Sequence, residues 1–144
     1  MHATAPGAGP GRRIVCAACA KINLTLEVLG RRPDGYHEVR TVLQAIALRD
    51  TLFVEAADTL TLPCDRKELE GEDNLALRAA HLLRGESGVS AGARLTLHKR
   101  IPVAAGLGGG SADAAAALRA LDRLWGLEWP LERLASVAER LGSD

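Results

Sequence analysis

The chain has 144 residues, enough for one domain with a real core, and its 18 Lys and Arg balance 18 Asp and Glu. A zero formal charge gives no support for a general nucleic-acid binder or a membrane-surface binder, and no apolar run reaches the length of a membrane span. Aromatic residues make up only 3% of the chain, and its single Tyr, Tyr36, lies in a polar turn rather than in an apolar periodic segment; that placement suits stacking or hydrogen bonding, or ordinary surface packing on a neighbour.

Met1 to Arg13 is rich in Ala, Gly and Pro and has no apolar centre, so it reads as a disordered leader and not as a secretory signal. Cys16-Ala-Ala-Cys19 runs into a strand-like segment, where positions three apart face opposite sides; a redox pair would open a helix, and a zinc site would need a second close pair where only Cys64 remains. The expectation is small buried thiols, and an odd number of free thiols fits a reducing cytoplasm. Ile22, Leu24, Leu26 and Val28 alternate with polar residues, which predicts a half-buried strand. Gly30 to Gly35 is a turn centred on Pro-Asp-Gly. Glu38 to Leu48 reads as a strand, with a helix over Leu43 to Leu48 as the alternative, and Thr51–Ala56 and Thr59–Pro63 as two short strands around Ala57-Asp58.

Asp73 or Asn74 caps a predicted helix carrying Leu75, Ala79, Leu82 and Leu83, which Gly85 and Gly88 end. Ala93 to His98 alternates as a strand. Gly106, Gly108, Gly109 and Gly110 then precede Ser111 and an alanine-rich helix running to Leu124. A helix opening just after such a loop points unpaired N–H groups and its positive dipole end into one small space, which is a site for a phosphate; a merely flexible loop fits the same residues. No Gly-Lys-Ser/Thr follows, which excludes a Walker A loop, and Ser111 stands where a Rossmann fingerprint has its third glycine. Pro130 opens a last helix with Leu131, Leu134, Ala138 and Leu141 on one face. The order predicts an α+β fold, with helices on one face of a mixed sheet.

Pro102 to Ala115 resembles the central motif of the GHMP kinases, the superfamily of galactokinase, homoserine kinase, mevalonate kinase and phosphomevalonate kinase. Ala20-Lys21-Ile22-Asn23-Leu24 resembles the opening strand of one branch, which phosphorylates 4-diphosphocytidyl-2-C-methyl-erythritol. Arg31-Arg32-Pro33-Asp34-Gly35-Tyr36-His37-Glu38-Val39 resembles that branch's cytidine-binding turn. Glu72-Asp73-Asn74-Leu75 and Lys99-Arg100-Ile101-Pro102 fit in order, so the resemblance covers roughly residues 14 to 144. It implies a GHMP kinase N-terminal domain over those residues, of ribosomal protein S5 domain 2-like architecture. It also implies ATP-dependent transfer of the γ-phosphate to the 2-hydroxyl of that cytidine diphosphate-linked polyol, in the non-mevalonate isoprenoid pathway.

The resemblance also implies roles. ATP contacts fall on Pro102, Val103, Ala104, Ala105, Gly106, Leu107, Gly108, Gly109, Gly110, Ser111 and Ala112, and on Asn74 and Lys99 near the adenine. Asn23, Tyr36 and His37 contact the substrate, and the Ser111 hydroxyl approaches Mg²⁺. Leu141-Gly142-Ser143-Asp144 resembles the segment carrying the catalytic aspartate, so Asp144 becomes the base and Lys21 the ammonium that keeps it ionised and stabilises the transferring group. Each role has a plainer alternative: Lys21 as a solvent-facing strand residue, Asp144 as a helix end, Asn74 as a cap, Lys99 as a surface strand charge. Asp113 reads first as a structural carboxylate in the helix's opening turn. Members of the family continue for about as many residues again, so this chain is expected to be an N-terminal fragment lacking the second GHMP domain and inactive alone. Two rivals stay open: a homoserine or mevalonate type of GHMP kinase, which needs no cytosine pocket at Tyr36 and His37, and a non-catalytic S5-like RNA-binding domain. The second predicts a basic, aromatic face, which the neutral charge and scarce aromatics oppose.

Overall fold

The structure, a computed structural model, describes residues 12–142. Strands β1 (Arg13–Arg31) and β2 (His37–Ala57) form a long antiparallel hairpin, followed by β3 (Leu60–Thr61), helix α1 (Leu75–Ser87), β4 (Gly92–His98), α2 (Gly109–Leu124) and α3 (Leu131–Glu139). The sheet order is β1-β2-β4-β3, antiparallel except for the parallel β3–β4 pair. That parallel pair is joined through α1, since parallel neighbours need a crossover.

Period-two alternation sets the core. Ile14 pairs with Val54, and Val54 with Leu95; Cys16 pairs with Leu52, and Leu52 with Leu97. These inward rows are buried apart from half-buried Cys16, with α2 against β1 and β2 and α1 against α2 and β3. The small inward face of α2 (Ala114, Ala117, Ala120, Leu121) lets it pack closely on β1 and β2. Asn74 caps α1, its Oδ1 accepting from the Ala76 N–H at 2.9 Å, and Gly88 closes that helix. Gly92 is forced by close approach: a Cβ there would stand 2.5 Å from the Thr59 backbone, whose carbonyl accepts from Ala93 N–H. At the far end of α2, Trp125 Nε1 donates to Gly92 O and the Trp129 N–H donates to Asp122.

The α+β class with helices on one face of a mixed sheet holds, and several local expectations change. The span Ile22–Val28 is exposed, not half-buried, because β4 pairs only with Thr51–Ala57 and the helices do not cover the hairpin's outer arm. Strand β2 is continuous from His37 to Ala57, so the expected break near Leu48 and the helical alternative both fail. Residues 59–63 do not return against 51–56, because β4 inserts between them. Strand β1 runs through Gly30 to Arg31, so the tight turn is Arg32–Tyr36, closed by Gly35 N–H to Arg32 O. Gly85 lies inside α1, and α2 begins at Gly109. Leu131 is 71% exposed, and Val137 takes the core position instead. Of the thiols only Cys64 is buried; Cys19 is exposed. Of the expected leader, Met1 to Arg13, residues 1–11 lie outside the described residues, and Arg13 pairs in β1. Among the described residues no helix is long and apolar enough to cross a membrane.

Candidate functional site

Two cavities concern the candidate residues, and Lys21, which lines the second, touches the loop that lines the first. The first, of about 370 Å³, is lined by Pro102–Ser111, by Asp73, Asn74 and Leu75 at the start of α1, and by Leu69, Lys99 and Asp113. Helix α2 has no side-chain cap, because its N-cap is Gly108 at φ +69°, so its first N–H groups open on this space together with the start of α1. Ala104, at φ +57°, is held in the left-handed region without being a glycine, which marks a loop fixed by its surroundings. Ten of the eleven expected nucleotide-loop residues line this cavity; Ala112 does not, since it packs toward the core.

Asn74 lines the cavity but its amide is engaged at both ends, as the α1 cap and as a donor to Leu69 O at 3.0 Å. Lys99 is not a surface strand charge. Strand β4 ends at His98, and the Lys99 ammonium, 5% exposed, turns in to Asp50 Oδ2 at 2.6 Å and Asp113 Oδ2 at 2.9 Å. Asp50 Oδ1 also accepts from the Arg100 and Ile101 N–H groups at 2.7 and 2.9 Å. Burial pushes the Asp113 carboxyl up to about 7, with the neighbouring Asp50 adding to the rise. Among the described residues its Oδ1 is a buried acceptor without a donor. For Asp50, burial works against ionisation, but its hydrogen bonds outweigh it and hold the carboxyl below its usual value. The same balance holds Lys99 above its usual value, its two carboxylates outweighing burial.

The second cavity, about 920 Å³, is an open groove between the hairpin's outer arm and the end of α3. Lys21, Asn23, Leu26, Val39, Thr41 and Leu43 form one wall, Arg32, Tyr36 and His37 the tip, and Glu139–Gly142 the other side. The β1–β2 register jumps at this point: Cys19 faces Arg49 and Lys21 faces Ala45. The irregularity re-aims the strand, and Lys21 N–H donates to Leu107 O at 2.9 Å. The Lys21 side chain therefore lies against the glycine loop, 3.1 Å from where a Cβ on Gly108 would stand, while its Nζ donates to Asn23 Oδ1 at 2.9 Å. Tyr36 is 69% exposed, and its N–H is fixed by Asp34 Oδ1 at 3.0 Å. Ser111 Oγ sits 3.6 Å from a Cβ built on Gly142, which brings the end of the described chain to the loop. Asp144 lies outside the described residues.

The structure thus gathers Lys21, Asn23, Tyr36 and His37 in one groove and the glycine loop, Asn74 and Lys99 in the neighbouring cavity. Sequence reasoning missed Asp50. Its signal was a charged residue in phase with inward Leu52 and Val54. Glu139 and Arg140, which wall the groove, carried no comparable signal.

The family described as GHMP kinases N terminal domain matches residues 74–144. A 4-diphosphocytidyl-2-C-methyl-D-erythritol kinase from Pelotomaculum thermopropionicum is 55% identical over 134 residues, covering 91% of this chain and 47% of that protein. One of the same name from Parvibaculum lavamentivorans is 54% identical over 132 residues, covering 89% and 46%. A crystal structure of 4-(cytidine 5'-diphospho)-2C-methyl-D-erythritol kinase superposes with a TM-score of 0.77 at 44% identity, covering 91% of this chain and 47% of that one. The chain therefore spans about half the length of the curated relatives it matches. With the domain match, these identities and the shared fold in agreement, the chain carries a GHMP kinase N-terminal domain, matched over residues 74–144, in a fold that superposes on 4-(cytidine 5'-diphospho)-2C-methyl-D-erythritol kinase.

Proposed function

We propose that this domain is the ATP-binding half of a kinase that moves the γ-phosphate of ATP to the 2-hydroxyl of 4-diphosphocytidyl-2-C-methyl-D-erythritol. The observation that carries the reading is Lys21, whose stem packs under the Gly108 loop and whose ammonium opens on the Tyr36–His37 groove. Phosphoryl transfer needs donor and acceptor oxygens held in line and charge neutralised on the transferring group. A triphosphate seated on the loop and the α2 N-terminus would meet an acceptor in the groove at Lys21. Asn23 then orients that ammonium, Tyr36 offers a π face to the cytosine and His37 hydrogen-bonds the base edge. Asp144 takes the hydroxyl proton. The curated relatives' names support the cytidine substrate over a homoserine or mevalonate type.

Magnesium fits as a passenger of the nucleotide. Among the described residues no group of three acidic, His or Cys side chains could hold a metal, and the Ser111 hydroxyl is one neutral donor. That suits an ion bound mainly by phosphate oxygens and water, which would neutralise phosphate charge. Unpaired thiols fit a cytoplasmic setting. The leader, and a second domain supplied by the remaining length of the relatives, belong to the same reading.

The test is a phosphoryl-transfer assay on this chain continued by the second half of the Pelotomaculum relative, with the cytidine polyol, mevalonate and homoserine as acceptors. Transfer to the cytidine polyol alone is expected. Equal use of mevalonate would sink the substrate assignment.

A further inference from the structure

We propose that Asp50 is the positioning residue of the glycine loop, clamping its entry and its exit to the sheet; the inference rests on reading that loop as the nucleotide's seat. Asp50 lies in β2 opposite Ala18, in phase with Leu52 and Val54, so the sheet's pattern assigns it an apolar, inward place. A carboxylate stands there instead, fully buried. Ionic groups in a core are expensive compared with an apolar side chain of similar size, so what the carboxylate contributes is direction.

Three donors converge on it from three successive residues: Lys99 Nζ, Arg100 N–H and Ile101 N–H. Those residues join the end of β4 to Pro102, where the cavity lining begins. The same Lys99 ammonium reaches Asp113 in α2, 14 residues further along, past the end of the loop. Both ends of the loop are therefore tied through one side chain, and the span between them is pinned to β1 by Lys21 N–H to Leu107 O. Asp65 adds to the entry side, accepting Lys99 N–H at 3.0 Å. A leucine at position 50 would fill the core yet leave the Arg100 and Ile101 amides without their acceptor, and a glycine-rich segment has little stiffness of its own. Asp50 touches no reacting atom on this account; it acts through the loop.

The test compares wild type with Asp50→Asn by amide hydrogen exchange and by titration with MgATP. The Lys21 and Ala112 amides report the seat of the loop, since they donate to Leu107 O and Gly108 O, and Leu95 reports the sheet centre. Asparagine keeps an acceptor for the two amides and loses the charge that holds Lys99. The expected result is exchange at Lys21 and Ala112 faster by at least about tenfold beyond any change at Leu95, with nucleotide affinity lower by about tenfold, the scale of one charge-assisted bond. Exchange that rises equally at Leu95 would reduce Asp50 to an ordinary stabilising residue and overturn the proposal, as would a loosened loop with unchanged affinity. Should Asp50→Asn not fold, Lys99→Met frees the exit end and is read at Ala112, where an unchanged rate overturns the clamp. If wild type itself does not bind MgATP, the nucleotide reading fails, and the exchange comparison alone decides the clamp.

Discussion

Gly108→Val perturbs the point where loop and groove meet. Gly108 sits at φ +69°, where an L-residue is disfavoured by roughly 1–2 kcal/mol and a β-branched one fits worst. Its new Cβ would stand 3.1 Å from Lys21 Cγ and Cε, and the valine methyls reach further, so the lysine must swing away. That breaks the Lys21–Asn23 hydrogen bond, a loss of about 0.5–1.5 kcal/mol. The sum is about 2–3 kcal/mol of stability, or about 5–10 °C in Tm for a chain of this size, which leaves a folded protein. Gly106→Ala is the matched control: φ is +75°, but nothing lies within 4 Å of its added Cβ, so it carries the backbone strain without touching Lys21. Thermal melts and calorimetric MgATP titrations of both variants separate the two effects. MgATP binding is expected to vanish in Gly108→Val and to weaken modestly in Gly106→Ala. Wild-type affinity in folded Gly108→Val would remove the loop from the nucleotide site.

Three further outcomes are expected. Tyr36→Ala weakens CDP binding by about 1–3 kcal/mol, the scale of base–aromatic stacking, and leaves MgATP binding unchanged; the reverse pattern in the same titrations would reassign the turn. Gly92→Ala forces β4 away from the Thr59 backbone and breaks its seat beside β3, so a urea melt should register a loss of about 2 kcal/mol or more. Asp113 titrates near 7 when folded against an ordinary 3.8, so the folded chain holds more protons between those values. This group's contribution to stability therefore falls as pH rises through that window, and Asp113→Asn should flatten urea-melt stability between pH 5 and 8 in metal-free buffer; an unaltered slope would move the proton elsewhere.

Local signals were legible and long-range ones were not. The cap at Asn74, the helices α1 and α2 and the alternation of β4 are written within a few residues, and of the face read for α1 Ala79 and Leu83 are buried while Leu75 and Leu82 stay half-buried. The glycine loop was legible for the same reason. Alternation in Ile22–Val28 says which side chains share a face, but not whether anything covers it; in this fold the helices stop short of the arm. The insertion of β4 between β2 and β3 depends on pairings about 40 residues apart in the chain, which no turn chemistry announces. The alternative of a surface strand charge at Lys99 fails because its partner Asp50 lies 49 residues away, and the strand that would have pointed it outward ends one residue earlier.

The placement of the aromatic residues has a spectroscopic consequence. Trp125 and Trp129 both lie beyond the C-terminal end of α2, and the 16 residues of that helix separate them from the glycine loop by about 24 Å. The only tyrosine stands apart from both, at the tip of the groove. Tryptophan emission is therefore an optical channel for the joint between α2 and α3, deaf to a ligand on the loop, while tyrosine emission listens only at the groove. One unlabelled sample carries two reporters: red-edge excitation selects tryptophan alone, and the tyrosine signal is what remains when the tryptophan spectrum is subtracted from emission excited at shorter wavelength, so quenching by a stacked base can be followed while the tryptophan signal certifies that the domain stays folded.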